Sequence, residues 1–466
     1  PITLDGSSAT LTVRPFALGY TNINKDGTPN PEGTAISGNG FVAAGDVFEA
    51  TIGAYLWQGA DDPNNDGIVD APDTSDVTDN GITPAYNFST LLSVDTTGGY
   101  TPAAGIVGVL GGSLNPDAFS AGQQTVSDLT YSEVGSMRML AAVTDYLGTS
   151  GVNIAGQTIV PVGRFYPHHF ELSGANINPA CVAGDFTYMD QPELEIDYTV
   201  QAHRLGSGIT QNYFTTGYNV GTVSMVAEDS DDGNDLSFRL SNIGSATWVS
   251  GQYTVSTPSA QLDKDAAPDG PFDALQLGVQ VADTDGAVLL NRDMDPDSEG
   301  ACGAGCNSQS IGTTRVRYGR MEMVNAHGSE LLPLNLPMLT SYYDGSNFIA
   351  HSDDSCTSMV VTNLDMSNDL EANQRDGNIQ VGGGLVNASV VNSPAAAGRL
   401  DVGLSAPGAG NTGYIDVTAD LSASGQDLPW LQFDWNGDGT DENPTGRATF
   451  GIFPGSPQQI YMQEVY

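Results

Sequence analysis

Two short loops carry residue types at a spacing that suits a hard cation. DPNNDGIVD places Asp62, Asn64, Asp66 and Asp70 at positions 1, 3, 5 and 9, with Gly67 at 6. DWNGDGTDE places Asp434, Asn436 and Asp438 at 1, 3 and 5 and Gly439 at 6, with Asp441 and Glu442 following. Calcium takes six to eight oxygens at about 2.3–2.6 Å, and alternating side chains on a tightly turning loop converge on one point. Neither loop has the Glu at position 12 or the flanking helices of an EF-hand. Both read as the shorter loops of extracellular repeat proteins, so the expected cofactor is structural calcium. The acidic runs Asp229–Asp235, Asp283–Asp297 and Asn22–Gly27 read instead as solvated turns.

Other chemistry is sparse. The four cysteines, Cys181, Cys302, Cys306 and Cys356, allow three disulfide pairings. Spacing favours Cys302 with Cys306 and Cys181 with Cys356, and a zinc site is disfavoured because CGAGC has no second Cys pair and no nearby His. No GxSxG, HExxH, CxxCH or P-loop pattern occurs, so the chain reads as non-catalytic. The pair His168–His169 reads as one packed and one exposed ring on opposite faces of a strand. Trp57, Trp248, Trp430 and Trp435 read mainly as core residues, with Trp435 the best placed for exposure and for stacking on a sugar.

The background composition narrows the classes. The chain has 466 residues, 56 acids against 14 bases, and a formal net charge of -42. Asp outnumbers Glu 43 to 13, and only Lys25 and Lys264 are lysines. Such a charge repels nucleic acid and anionic headgroups, so neither is an expected partner. No run of 18 apolar residues exists, so no membrane insertion is expected. The stretch PITLDGSSATLTVRPF has no basic n-region or apolar h-region and reads as lacking a signal peptide. The even cysteine count fits an exported, extracellular chain.

The elements that must hold these loops have a period of two. Phe48, Ala50, Ile52, Ala54 and Leu56 form one apolar face; Leu194, Ile196, Tyr198 and Val200 form another; Leu275, Leu277, Val279 and Val281 a third. Alternation of this kind, broken by Gly, Asn, Asp and Pro clusters, means half-buried antiparallel strands. Ser367–Arg375 is a candidate short helix, and Met137–Leu147 fits either element. An internal repeat relates Phe41–Leu56 to Phe186–Ala202, each followed by a similar phrase, Ile82–Phe88 and Ile209–Phe214. The longer first connection holds the acidic stretch Asp61–Asn80. The expected fold is all-β: tandem immunoglobulin-like β-sandwich domains in an elongated rod, with units at 1–165, 166–310 and 311–466. The third unit is expected to start with one strand, Thr314–Met323.

Five phrases resemble the C-terminal region of MshQ-type proteins, associated with the mannose-sensitive haemagglutinin (MSHA) type IV pilus. They are Val162–Leu172, Cys181–Ala202, Val316–Pro337, Asp353–Thr357 and Asp434–Tyr466; Leu11–Leu18 and Ala43–Ala50 are similar too. The resemblance implies a secreted, pilus-associated surface protein with an adhesive or assembly role. Expected partners are pilus subunits or other copies of itself, with surface glycans as a further class. A self-polymerising filament subunit is a rival, using strands at Ala9–Leu18 and Gln459–Tyr466 to extend a neighbour's sheet. A carbohydrate-binding protein or a hydrolase with accessory β domains is another.

Overall fold

The computed structural model of the chain describes residues 12–423 and 427–451. Regular structure among them consists of strands and six short 3-10 turns. The strand Leu194–His203 shows why: its side chains alternate between fully buried and half-buried until the last two, which are both buried. A sheet with one face on a core requires that pattern.

The strands form six sheets, two for each stretch of chain. In the first stretch, Ala17–Lys25, Phe48–Tyr55, Gln123–Tyr131 and Leu110–Gly111 lie side by side in that order. The facing sheet runs Val42–Ala43, Val162–Tyr166, Gly135–Met137, Tyr100–Thr101. In the second stretch the orders are His169–Asn178, Leu194–His203, Gln252–Leu262, Leu240–Ser241 and Thr187–Tyr188, Ser308–Arg317, Phe272–Ala282, Thr222–Asp229. In the third they are Gly319–Met323, Leu334–Tyr343, Arg399–Leu404, Gly384–Ala396 and Ala326–Gly328, Thr445–Phe450, Gly413–Ala419, Leu364–Ser367. The connectivity is the same three times. Each time a two- or three-residue strand pairs parallel with the last strand of its unit. The first unit adds Ile154–Gln157, Met139–Val143 and Leu91–Val94 along the free side of Ala17–Lys25.

The internal repeat takes a physical form here. Thr83 N–H donates to Ala54 O at 2.8 Å, and Thr210 N–H donates to Ala202 O at 2.9 Å. Ala54 N–H in turn reaches Gly122 O, and Ala202 N–H reaches Gly251 O. The two phrases therefore close the same corner of two units.

Several expectations are corrected. Ser367–Arg375 is no helix: Ser367 ends a strand, and Met366 pairs back to Gln374 as an isolated bridge. Thr314–Met323 is not one strand. Ser308–Arg317 pairs with Phe272–Ala282, and Gly319–Met323 pairs with Leu334–Tyr343, so the chain changes units at Tyr318 and a boundary at 310 falls inside a strand. Leu56 is half exposed rather than inward, because the strand ends at Tyr55. The stretch Met137–Leu147 contains the strand Met139–Val143. Ala17 and Leu18 are not a free edge, since Leu18 pairs with both Ala54 and Gly156. Gln459–Tyr466 and Ala9–Leu11 lie outside the described residues.

Each stretch encloses its own core, and Ile196, fully buried, sits in the centre of the second. Truncating a buried Ile to Ala removes the transfer free energy and leaves a cavity. Ile196→Ala is expected to lower stability by about 2–5 kcal/mol, read from the urea midpoint of the full chain.

Candidate functional site

The two acidic loops share one wiring. Asp62 accepts from the amides of Asp66 at 3.0 Å and Gly67 at 2.8 Å; Asp434 accepts from Asp438 at 3.1 Å and Gly439 at 2.8 Å. Asn64 and Asn436 each accept from the amide at position 5, both at 2.8 Å. Asp66 and Asp438 each accept from the amide two residues on, both at 2.9 Å. Asn64 donates to Asp70 at 2.9 Å, and Asn436 donates to Glu442 at 2.7 Å, so Glu442 fills the ninth position that Asp70 fills. Each loop is closed by position 9 donating to the carbonyl just before position 1: Asp70 to Asp61 at 2.8 Å, Glu442 to Phe433 at 3.0 Å.

These loops are turns in which carboxylates satisfy backbone amides. Burial pushes the Asp62 carboxyl up, but hydrogen bonds from Trp57, Gly67, Asp66 and Asn65 outweigh it and hold it below the usual range. The amides of Gly439, Gly437, Asp438 and Asn436 hold Asp434 low as well. Positions 1 and 3 meet at the amide of position 5, and position 9 is held to them through the side chain of position 3. The donors are all oxygens, as calcium requires, yet neither loop gathers three carboxylates within 4.8 Å of one another. Asp441 stands apart from this arrangement: its charge acts on Lys264.

The first loop is anchored by a small secondary core of Phe16, Ala17, Tyr55 and Val77, with Arg14 donating to Gly67 O at 2.5 Å. Tyr55 thus packs on the outer face of a strand whose other face lines the main core. Trp57 and Trp435 are exposed, one beside each loop, while Trp248 and Trp430 are buried. Trp57 donates to Asp62 at 2.8 Å, and Trp435 lies over the Arg320 guanidinium at 4.7 Å. Trp57 is thus an exposed ring where a core residue was expected.

Two further clusters were not legible as sites in the sequence. The first is His169, Glu171 and His203, whose ligating atoms lie within 4.8 Å of one another. It is the one such group of three His, Cys, Asp or Glu residues among the described residues. His168 and His169 do not turn apart as expected: their Nδ1 atoms are 3.0 Å from each other. The strand begins only at His169, which frees His168 from the alternation. The spacing His-x-Glu was the available signal, but His203 joins it only through strand register.

The second cluster binds the second unit to the third. Cys181 and Cys356 form a disulfide, as do Cys302 and Cys306. Beside the first, Tyr188 donates to Asp354 Oδ2 at 2.9 Å and accepts from His351 Nδ1 at 2.7 Å. That leaves His351 Nε2 buried and without a partner. Desolvation by burial therefore pushes His351 down to about 4, against the pull of Asp354. At 1% exposure His351 is closed to solvent, and with Tyr188 and Asp354 it locks the second unit to the third.

Comparisons with known proteins follow the same order along the chain. Family models for the second, third and fourth domains of DUF6701 match residues 14–128, 133–309 and 317–465. The chain carries three DUF6701 domains. The third-domain match starts at Glu133, so it takes in the last strands of the first structural unit. No curated protein matches the chain. Among solved structures, dimeric latent PorU from Porphyromonas gingivalis aligns at 11% identity with a TM-score of 0.17. That alignment covers 93% of this chain and 34% of PorU.

The lock at the second joint has two testable consequences for this DUF6701 chain. Removing the disulfide by Cys181→Ser with Cys356→Ser is expected to cost about 2–5 kcal/mol. The depressed His351 pKa also gives a sign. The unfolded chain takes up a proton near pH 6.5 and the folded chain only near 4, so this stability is present above 6.5 and lost as pH falls toward 4. Urea midpoints are expected to fall between pH 7 and 4.5, and less steeply in His351→Leu. An equal fall in that variant places the acid sensitivity elsewhere.

Proposed function

We propose that this chain is a non-catalytic, exported surface protein whose immunoglobulin-like sandwiches hold an adhesive or assembly partner at a fixed distance from the cell. The observation that carries the reading is the continuity of the units. The last strand of one leads into the first strand of the next through Pro167 and His168, and then through Tyr318 alone. A semi-rigid, rod-like chain suits load-bearing display better than closure around a substrate.

Several features support the details. The recurring order, a four-stranded sheet facing a second sheet, supports the immunoglobulin-like part of the reading. The two disulfides fit an oxidising compartment. The resemblance to MshQ-type proteins supports pilus association, with pilus subunits as partners. Calcium at the Asp62 and Asp434 loops would neutralise acids that now rely on amide and indole donors and have no cation beside them in the loop. The residues to hold it are Asp62, Asn64, Asp66 and Asp70 in one loop and Asp434, Asn436, Asp438 and Glu442 in the other.

Two experiments test the reading. Antibody against the chain is expected to label intact, unpermeabilised cells, with label lost when pilus assembly is blocked. Label that appears only after permeabilisation overturns export. For the loops, calcium at a hundred-fold excess over its dissociation constant adds about 2.7 kcal/mol. The melting temperature is expected to rise in calcium relative to chelator, and not to rise in Asp62→Asn with Asp434→Asn. Superimposed melting curves for the unmodified chain reject the calcium role.

A further inference from the structure

The group formed by His169, Glu171 and His203 is a product of register. His169 pairs directly with His203, and Glu171 pairs with Gln201. Residues two apart on a strand share a face, so all four side chains rise from the same patch of sheet. Phe170, between His169 and Glu171, points the other way and is fully buried in the core. The imidazoles of His169 and His203 stack at 5.4 Å with 21° between their planes. His169 Nε2 lies 3.0 Å from Glu171 Oε1, and His203 Nε2 lies 3.8 Å from Glu171 Oε2. Gln201 Oε1 stands 3.3 Å from His203 Nε2.

Proton placement makes this group unusual. His168 Nδ1 and His169 Nδ1 are 3.0 Å apart, so one of them carries the shared proton. When His169 donates, its neutral ring turns a bare Nε2 toward a carboxylate oxygen, and a cation between them relieves the repulsion. His168 then serves as the outer partner that fixes the tautomer of a metal-bound imidazole. His203 Nδ1 has no partner, and the one hydrogen bond of its ring is the 3.3 Å contact from Nε2 to Gln201. Both imidazoles are nearly buried, while Glu171 is 40% exposed and gives the cluster a path to solvent.

We propose that His169, Glu171 and His203 bind one divalent transition metal ion of the zinc class, with a fourth position left for water or Gln201. Two imidazoles and a carboxylate match the donor set such ions prefer, and calcium, which prefers oxygen alone, does not fit. The ion sits where the chain passes from the first unit to the second. His168 N–H donates to His203 O at 2.8 Å, and Leu205 N–H donates to Ala44 O at 2.8 Å. Binding ties the start of His169–Asn178 to the end of Leu194–His203 beside that joint, stiffening it. The site is independent of the calcium loops and of the pilus reading.

The test uses the full chain stripped with chelator and dialysed. Titration with zinc chloride by calorimetry is expected to show one saturable site, and cobalt chloride to develop the visible absorption of a four-coordinate ion. Glu171→Gln and His203→Gln are each expected to weaken binding at least about tenfold and to abolish the cobalt band. His327→Gln, distant in sequence and bonded to Gly451 O, is expected to bind as the unmodified chain does. Glu171 is partly exposed, so its variant keeps the fold even if His203→Gln does not; circular dichroism checks both. Absence of saturable binding, or affinity unchanged in Glu171→Gln, overturns the proposal.

Discussion

The chain has almost no slack between its units, and much else follows from that. Two residues separate Val162–Tyr166 from His169–Asn178, and one separates Ser308–Arg317 from Gly319–Met323. Units so close must touch, and whatever stands at the contact leaves water. Ala35, Ala44 and Val134 of the first unit join the core of the second, and Cys181, Phe186 and Tyr188 of the second join the core of the third. Any polar group caught there needs a partner, since an unpaired buried polar group costs roughly 1–3 kcal/mol. Arg164 therefore meets Asp285 through two hydrogen bonds, with both side chains about 5% exposed or less. Burial raises the Glu133 carboxyl, and the amides of Asn212 and Gln211 oppose it. Gly319 admits the ring of Tyr188 where a Cβ would stand 2.2 Å from it.

The lopsided charge becomes intelligible on the same terms. Fourteen bases cannot pair 56 acids, and three of them, Arg164, Arg239 and Arg317, have side chains buried to 6% exposure or less. Arg317 pairs with Asp273 and lies over the Tyr342 ring at 5.2 Å, against the third unit. These three bases are thus spent where desolvation makes an unpaired charge expensive. Many of the remaining acids use another partner, the backbone. Asp66, Asp95, Asp232, Asp235, Asp344, Asp376 and Asp438 each accept from an amide two residues on. The short Asp side chain makes that turn readily, whereas Glu carries an extra methylene. An excess of Asp over Glu follows from a fold made of many tight turns.

What the sequence made legible was local. Alternation in Leu194–Val200 announced a strand because burial has the same period as the pleat. The phrases at Ile82 and Ile209 announced a repeat because both close the same corner with the same amide bonds. The spacing in both acidic loops announced a shared geometry, although the match of Glu442 to Asp70 emerges only with the hydrogen bonds drawn. Three-dimensional pairing hid the rest. Tyr318 interrupts an apparently continuous run because its neighbours pair in different sheets. His351, 163 residues from Tyr188, could not be joined to it by any period. His203 meets His169 only through a register that the sequence does not display.

The distribution of the unusual features separates scaffold from addition. The two acidic loops have the same internal wiring but occupy different connections: the first follows Phe48–Tyr55, and the second precedes Thr445–Phe450. A loop that closes on itself, position 9 to the residue before position 1, asks only for two nearby ends. It can therefore be set into any connection without altering the sheets. The first loop confirms this locality, since it brings its own small core around Tyr55 and Val77 instead of drawing on the main one. The joints are the opposite case. Their disulfide, ion pairs and shared core residues draw on two units at once, so no unit can shift without disturbing its neighbour. Rigidity thus resides in the joints, while each acidic loop is held by its own internal bonds.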